Sequence, residues 1–355
     1  MDERSKTEPA IRCIDDILKI VVERGASDLH LQAGTPPMLR LHKHLIPIGS
    51  ETMTGDAIEA LVFPIMKDDQ KEVFKQHLDF DFSYSIRGLA RFRVNVFRQR
   101  GTMAVTLRRI PFNIPELDSL GLSQVVRDLV DLEKGFVLVT GPTGHGKSTT
   151  LAAIIDRINQ NRDVHTVTIE DPVEFLFQHR KGIVVQRELG EDTESFARAL
   201  RAVLREDPDI ILVGEMRDLD TISAALTAAE TGHLVFGTLH TNSAPQSIDR
   251  IIDVFPAAQQ SQIRVQLANV LSAVVTQQLL QRKDGNGLIV ATEILVATPA
   301  IRNLIRENKS FQITSMMQTG AAQGMTTMDR SVKDLFTKGV ITAEVALRAG
   351  VDVRE

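Results

Sequence analysis

Gly141-Pro142-Thr143-Gly144-His145-Gly146-Lys147-Ser148-Thr149 fits the pattern G-x-x-x-x-G-K-[ST], a Walker A loop that cradles phosphate. Before it runs Phe136-Val137-Leu138-Val139-Thr140, an unbroken apolar stretch of the kind shown by a parallel strand buried on both faces. After it, Leu151, Ile154, Ile155 and Ile158 recur at helical spacing. A glycine-rich loop between strand and helix turns its backbone N–H groups toward an anion, and the helix adds its positive dipole end. Lys147 supplies a full charge, and Ser148 offers a hydroxyl to Mg²⁺. The pattern therefore predicts an α/β domain wound around a phosphate site.

The chain has 355 residues, which favours two domains over one core. Hydrophobic residues at 43% and charged residues at 25% are ordinary for a globular protein. A net charge of −5 gives no whole-chain reason to expect nucleic acid as a partner. No apolar run is long enough to span a bilayer, and Met1-Asp2-Glu3-Arg4-Ser5-Lys6 lacks the apolar core of a signal peptide, so a cytoplasmic location is expected. The single cysteine, Cys13, excludes an intramolecular disulfide and a multi-cysteine zinc site; beside Ile14 and Ile17 it reads as a buried structural thiol.

Residues 1–110 read as an α+β domain. Ile14, Ile17, Leu18, Val21 and Val22 share one helical face, and a second helix runs from Asp56 to Met66. Short strands are expected around His30, which reads as structural, and around Leu39; longer ones run over Phe80–Tyr84, Arg91–Phe97 and Ala104–Ile110. In the Arg91–Phe97 strand, Phe92, Val94 and Val96 take one face while Arg91, Arg93 and Asn95 take the other, which reads first as a solvated face. Pro111-Phe112-Asn113-Ile114-Pro115 then interrupts, and residues 111–120 read as a linker.

Over residues 121–300 buried strands alternate with helices. Val164–Ile169 ends at Glu170, Asp209–Gly214 ends at Glu215, and His233–Leu239 ends at His240. Ligands bind beyond the carboxyl ends of such strands, so the Lys147 loop, Glu170, Glu215 and His240 should converge on one edge. Ile263, Leu267, Val270, Leu271, Val274 and Val275 read as one long amphipathic helix, followed by a turn at Asp284–Gly287 and a last strand from Leu288 to Ala291. Residues 301–355 are helical in pattern.

This constellation can transfer a phosphoryl group from ATP to water. Lys147 neutralises the β and γ phosphates, Ser148 holds Mg²⁺, and a strand-end carboxylate acts on the water. Glu215 is the first candidate for that role and Glu170 the second; His240 is placed to sense the γ-phosphate. The loop lacks a cation on the far side of the γ-phosphate, which many such enzymes receive from a neighbouring subunit. Arg91, Arg93 and Arg108 are the obvious supply.

With these residues in view, the chain resembles the type IV pilus retraction ATPases of the PilT family, within the secretion ATPase superfamily. The resemblance covers nearly the whole length. It rests on Ala26-Ser27-Asp28-Leu29-His30-Leu31, Ala90-Arg91-Phe92-Arg93-Val94-Asn95, the Walker A loop and Thr168-Ile169-Glu170-Asp171-Pro172-Val173-Glu174-Phe175. Gly214-Glu215-Met216-Arg217-Asp218, Gly237-Thr238-Leu239-His240-Thr241-Asn242 and Ala300-Ile301-Arg302-Asn303-Leu304-Ile305-Arg306-Glu307 complete it. It implies a RecA-like P-loop core, an N-terminal PAS-like domain, a helical C-terminal region and a homohexamer with ATP between subunits. It further implies a partner in the inner-membrane platform of the pilus machine, and arginine contributions from Arg91, Arg93 and Arg108. The chain departs from the family pattern at His145, where Ser is usual; a cradle of backbone N–H groups is expected to keep its binding.

Two other readings differ in what they predict. A nucleic-acid translocase on the same core calls for a basic, aromatic-lined channel, against an acidic chain with 5% aromatics and no tryptophan. An accessory ATPase paralogue that depends on an active partner would be inert alone.

Overall fold

The computed structural model describes residues 12–41, 44–110 and 113–353; Met1–Lys6, and Pro111 and Phe112 of the expected linker, lie outside them. The chain divides into two compact units, one reaching Phe112 and including Glu174–Leu176, the other comprising the rest.

In the first unit the elements run α1 (Ile14–Glu23), β1 (Asp28–Leu31), β2 (Met38–Leu41), β3 (His44–Pro47), α2 (Gly55–Val62), α3 (Asp68–His77), β4 (Asp79–Ile86), β5 (Ala90–Gln99) and β6 (Thr102–Ile110). The strands form one antiparallel sheet in the order β3-β2-β1-β6-β5-β4, the α+β arrangement expected. Period-two alternation on β5 sends Phe92, Val94 and Val96 into the core, where α1 adds Ile14, Ile17, Leu18 and Val21. Cys13 differs from expectation: it is exposed. It is the N-cap of α1, outside the apolar stripe, and Asp16 accepts the backbone N–H groups of Arg12 and Cys13.

The second unit continues with α4 (Gln124–Arg127), β7 (Gly135–Thr140), α5 (Lys147–Asn161), β8 (His165–Glu170), β9 (Ile183–Glu188), α6 (Phe196–Val203), β10 (Ile210–Val213), α7 (Leu219–Glu230), β11 (Leu234–Leu239), α8 (Ala244–Asp253), α9 (Ala257–Val270), β12 (Leu271–Gln281), β13 (Leu288–Val296), α10 (Pro299–Arg306), α11 (Ile313–Thr319), α12 (Met328–Thr337) and α13 (Ala343–Arg348). Seven strands lie in the order β13-β12-β7-β11-β10-β8-β9, all parallel to their neighbours except β13. Both faces are covered. Phe136 and Leu138 pack with α6 to α10 on one side, while Val137 and Val139 pack with Leu151, Ile154, Ile155 and Ile158 of α5 on the other. That double burial is why these strands read as continuous apolar runs.

The apolar series from Ile263 to Val275 is not one helix. It ends at Val270, and Leu271 opens an eleven-residue strand with no intervening turn. β12 lies between β7 and β13; Leu271 and Val274 pack into the core on one side of the sheet and Ala273 and Val275 into the core on the other, so both its faces are buried and the alternation that marks a strand is lost. β12 thereby becomes the neighbour of the phosphate loop.

Candidate active site

Four parallel strands end at one edge of the sheet, and their last residues carry the site. β7 runs into the loop, Glu170 closes β8, Glu215 follows β10 by two residues, and His240 follows β11 by one. The parallel registers Thr140 to Leu239 and Val213 to Gly237 hold these ends level.

Gly141 leaves β7 with φ +132°, and a Cβ on it would stand 2.3 Å from the backbone oxygen of Gln277 on β12. Only glycine fits there. Gly144, at the loop crest, has φ +80° with open space around it. Gly146 is the N-cap of α5 and offers no side chain to the first-turn N–H groups, which leaves them and the helix dipole for an anion. Lys147 is buried, and its Nζ donates to the carbonyls of Gly141 at 2.8 Å and Pro142 at 2.9 Å. Ser148 sits in the first turn of α5, half-buried. Among the described residues no cluster of His, Cys, Asp and Glu could hold a metal by itself.

His240 joins the loop to the β10 carboxylate. Its Nδ1 lies 3.5 Å from Lys147 Nζ and 3.4 Å from Thr143 Oγ1, and its Nε2 lies 3.1 Å from Glu215 Oε1. An ammonium only donates, so Nδ1 accepts and Nε2 carries the proton that it donates to Glu215. Glu215 is gripped from the other side by Arg217, whose Nε and a terminal nitrogen engage both carboxylate oxygens, the latter at 2.6 Å. Burial pushes the Glu215 carboxyl up, but the hydrogen bonds and charge of Arg217, with the hydrogen bond from His240, outweigh it and hold the group below the usual range. Glu170 is buried and differently held, accepting from Thr168 Oγ1 at 2.6 Å and Gln186 Nε2 at 3.3 Å.

Lys147, Thr143, His240 and Glu215 thus form one connected set. Arg91, Arg93 and Arg108 lie in the first unit on β5 and β6, Arg93 with Asp81 at 3.7 Å and Arg108 donating to the buried Asp28 at 2.8 Å. Three residues escaped sequence reasoning. Arg217 was visible only as part of a quoted motif. Glu188 on β9 takes the Val173 N–H at 3.0 Å and so shapes the loop after Glu170. Glu293 on β13, buried, accepts from the N–H of Ala244 at 2.7 Å and of Met328 at 3.3 Å; a carboxylate inside an apolar strand pattern was its one signal.

The family described as Type II/IV secretion system protein matches residues 3–348. The chain is 50% identical over 333 residues to the type IV pilus retraction ATPase PilT of Pseudomonas aeruginosa, covering 94% of this chain and 96% of that protein. It is 40% identical over 333 residues to the type IV pilus ATPase PilU of the same organism, covering 94% of this chain and 87% of the other. A crystal structure of the pilus retraction motor PilT with bound ADP superposes with a TM-score of 0.89 at 48% identity, over 96% of this chain and 97% of that one. With sequence and fold alike over almost its full length, the chain belongs to the type II/IV secretion system protein family, in the branch of the type IV pilus retraction ATPases.

Proposed function

We propose that the protein hydrolyses ATP with Mg²⁺ as a homohexameric motor that withdraws type IV pili, working in the cytoplasm against the inner-membrane platform of the pilus machine. The connected set Lys147, His240 and Glu215 beside the phosphate loop carries the reading. On nucleotide binding, Lys147 exchanges its two loop carbonyls for phosphate oxygens, and the first turn of α5 receives the remaining charge. Ser148 and the nucleotide phosphates would hold Mg²⁺, which when bound would supply charge neutralisation. Glu215, ionised, orients and deprotonates the attacking water; Glu170 is the second candidate for that step. His240 reports the γ-phosphate to Glu215, since the imidazole spans loop and carboxylate. A neighbouring subunit supplies Arg91, Arg93 and Arg108 to the far side of the phosphate.

The 40% identity to PilU favours a second reading, an accessory ATPase paralogue that acts beside an active partner. Turnover by the purified chain alone separates the two. Direction of force is tested by deleting the gene in the host and complementing with wild type and with Glu215→Ala. Surface pili that accumulate without retracting, restored only by wild type, support the proposal; loss of pili overturns it.

A further inference from the structure

β12 outruns β7. Their parallel pairing ends at Thr276 opposite Thr140, whereas β12 continues to Gln281, paired on its other side with β13 throughout. Past Thr276 no strand among the described residues pairs with the edge that faced β7, and backbone groups on such an edge need other partners. The phosphate loop lies along it. The Thr140 and Thr276 hydroxyls meet at 2.8 Å where the pairing stops, and Gly141 then lies so near the Gln277 carbonyl that a Cβ on it would stand 2.3 Å from the oxygen. Gly146 packs beside Leu279, and the Leu279 N–H donates to His145 Nδ1 at 3.1 Å.

We infer that His145 is a positioning residue, which ties the crest of the phosphate loop to the free edge of β12 and so presets the loop's N–H groups for phosphate. The inference rests on the nucleotide-binding reading of the loop. An acceptor is required, because Leu279 supplies a donor, and it must stand two bonds beyond Cβ. Imidazole Nδ1 meets both conditions. A serine hydroxyl ends one bond short, whereas an asparagine carbonyl oxygen stands at the same reach as Nδ1. Preorganisation of this kind acts on affinity, since an untethered loop must be ordered when the nucleotide arrives.

The test compares full-length wild type with His145→Ala, His145→Leu and His145→Asn, reading KM for ATP, kcat, and hydrogen exchange at the Leu279 amide without nucleotide. Ala and Leu should raise KM about fivefold, the ratio one neutral hydrogen bond is worth, with kcat changed less than KM. Both should also speed Leu279 exchange. Asn should bring KM and exchange back to within about twofold of wild type, a rescue that loss of general packing would not give. Equal KM in wild type and Ala, or Asn behaving as Ala does, overturns the inference while leaving the ATPase reading intact. A wild-type chain that binds no nucleotide overturns both.

Discussion

Gly141→Ala should damage the molecule far more than Gly144→Ala, although both glycines belong to the same loop and both have positive φ. At Gly144 the new methyl meets nothing within 4 Å, so only the backbone conformation is penalised, at about 1–2 kcal/mol. At Gly141 the φ of +132° lies where side chains scarcely go, worth about 1–3 kcal/mol. Its methyl would also stand 2.3 Å from the Gln277 oxygen, and that oxygen is backbone in the middle of β12, pinned opposite Thr292 of β13. Relief requires moving the strand or the loop, an overpacking cost of about 1–3 kcal/mol more. Gly141→Ala therefore stands to lose about 2–6 kcal/mol, a large part of a domain's stability of roughly 5–15 kcal/mol. Urea unfolding of the second unit, followed alongside ADP binding, measures both consequences. Gly144→Ala should lower the midpoint by the smaller step that about 1–2 kcal/mol implies, while Gly141→Ala should unfold earlier still and bind ADP poorly. Equal midpoints, or a larger loss at Gly144, would refute the placement of the loop against β12.

Glu215→Gln should lower kcat by about 10²–10⁴ with ADP affinity little changed, whereas Lys147→Ala should abolish binding; a modest fall in kcat sinks the role given to Glu215. Arg217→Ala removes a group that keeps the Glu215 carboxyl low, so the acidic limb of the kcat/KM profile should move to higher pH; an unmoved limb disproves that coupling. Arg91→Ala should cut hydrolysis and spare ATP binding. Arg108→Ala should do the same while destabilising the first unit by about 1–3 kcal/mol, because buried Asp28 loses a donor; unchanged turnover in both variants rules out these arginines as the missing cation. Glu293 is raised by burial, with Asp329 adding to it and the Ala244 and Met328 N–H groups opposing. Its protonated form is thus favoured by folding, and its contribution is complete below the ordinary value of 4.5 and fades as pH rises through the raised one. The stability of wild type relative to Glu293→Gln should accordingly fall with pH across that window in urea titrations; a flat or rising difference contradicts it.

The phosphate loop and its strand were legible because several constraints agree there: glycine spacing, a doubly buried run before it and a helical face after it. β5 was legible for a simpler reason, since one face packs and one does not. β12 was hidden because Val270, Leu271, Val274 and Val275 fall at spacings that a helix face and a doubly buried strand share, and no glycine or proline marks the join. Cys13 was misjudged because proximity to apolar residues says nothing about the N-cap position, which sits off the stripe. Within the site, strand ends announced Glu170, Glu215 and His240, but the grip of Arg217 on Glu215 and the bond from Leu279 to His145 depend on three-dimensional reach. No periodicity encodes that.

Glu293 also has a mechanical side. One carboxylate holds the opening N–H of α8, which follows the His240 loop, and the opening N–H of α12 near the chain's end. These helix starts are separated along the chain by α8 itself, α9, β12, β13, α10 and α11, yet they hang on a single carboxylate. Any displacement of the start of α8 would therefore reach the start of α12 through one carboxylate, without passing residue by residue through the intervening chain. What joins these two distant helix starts is thus one side chain with two backbone hydrogen bonds.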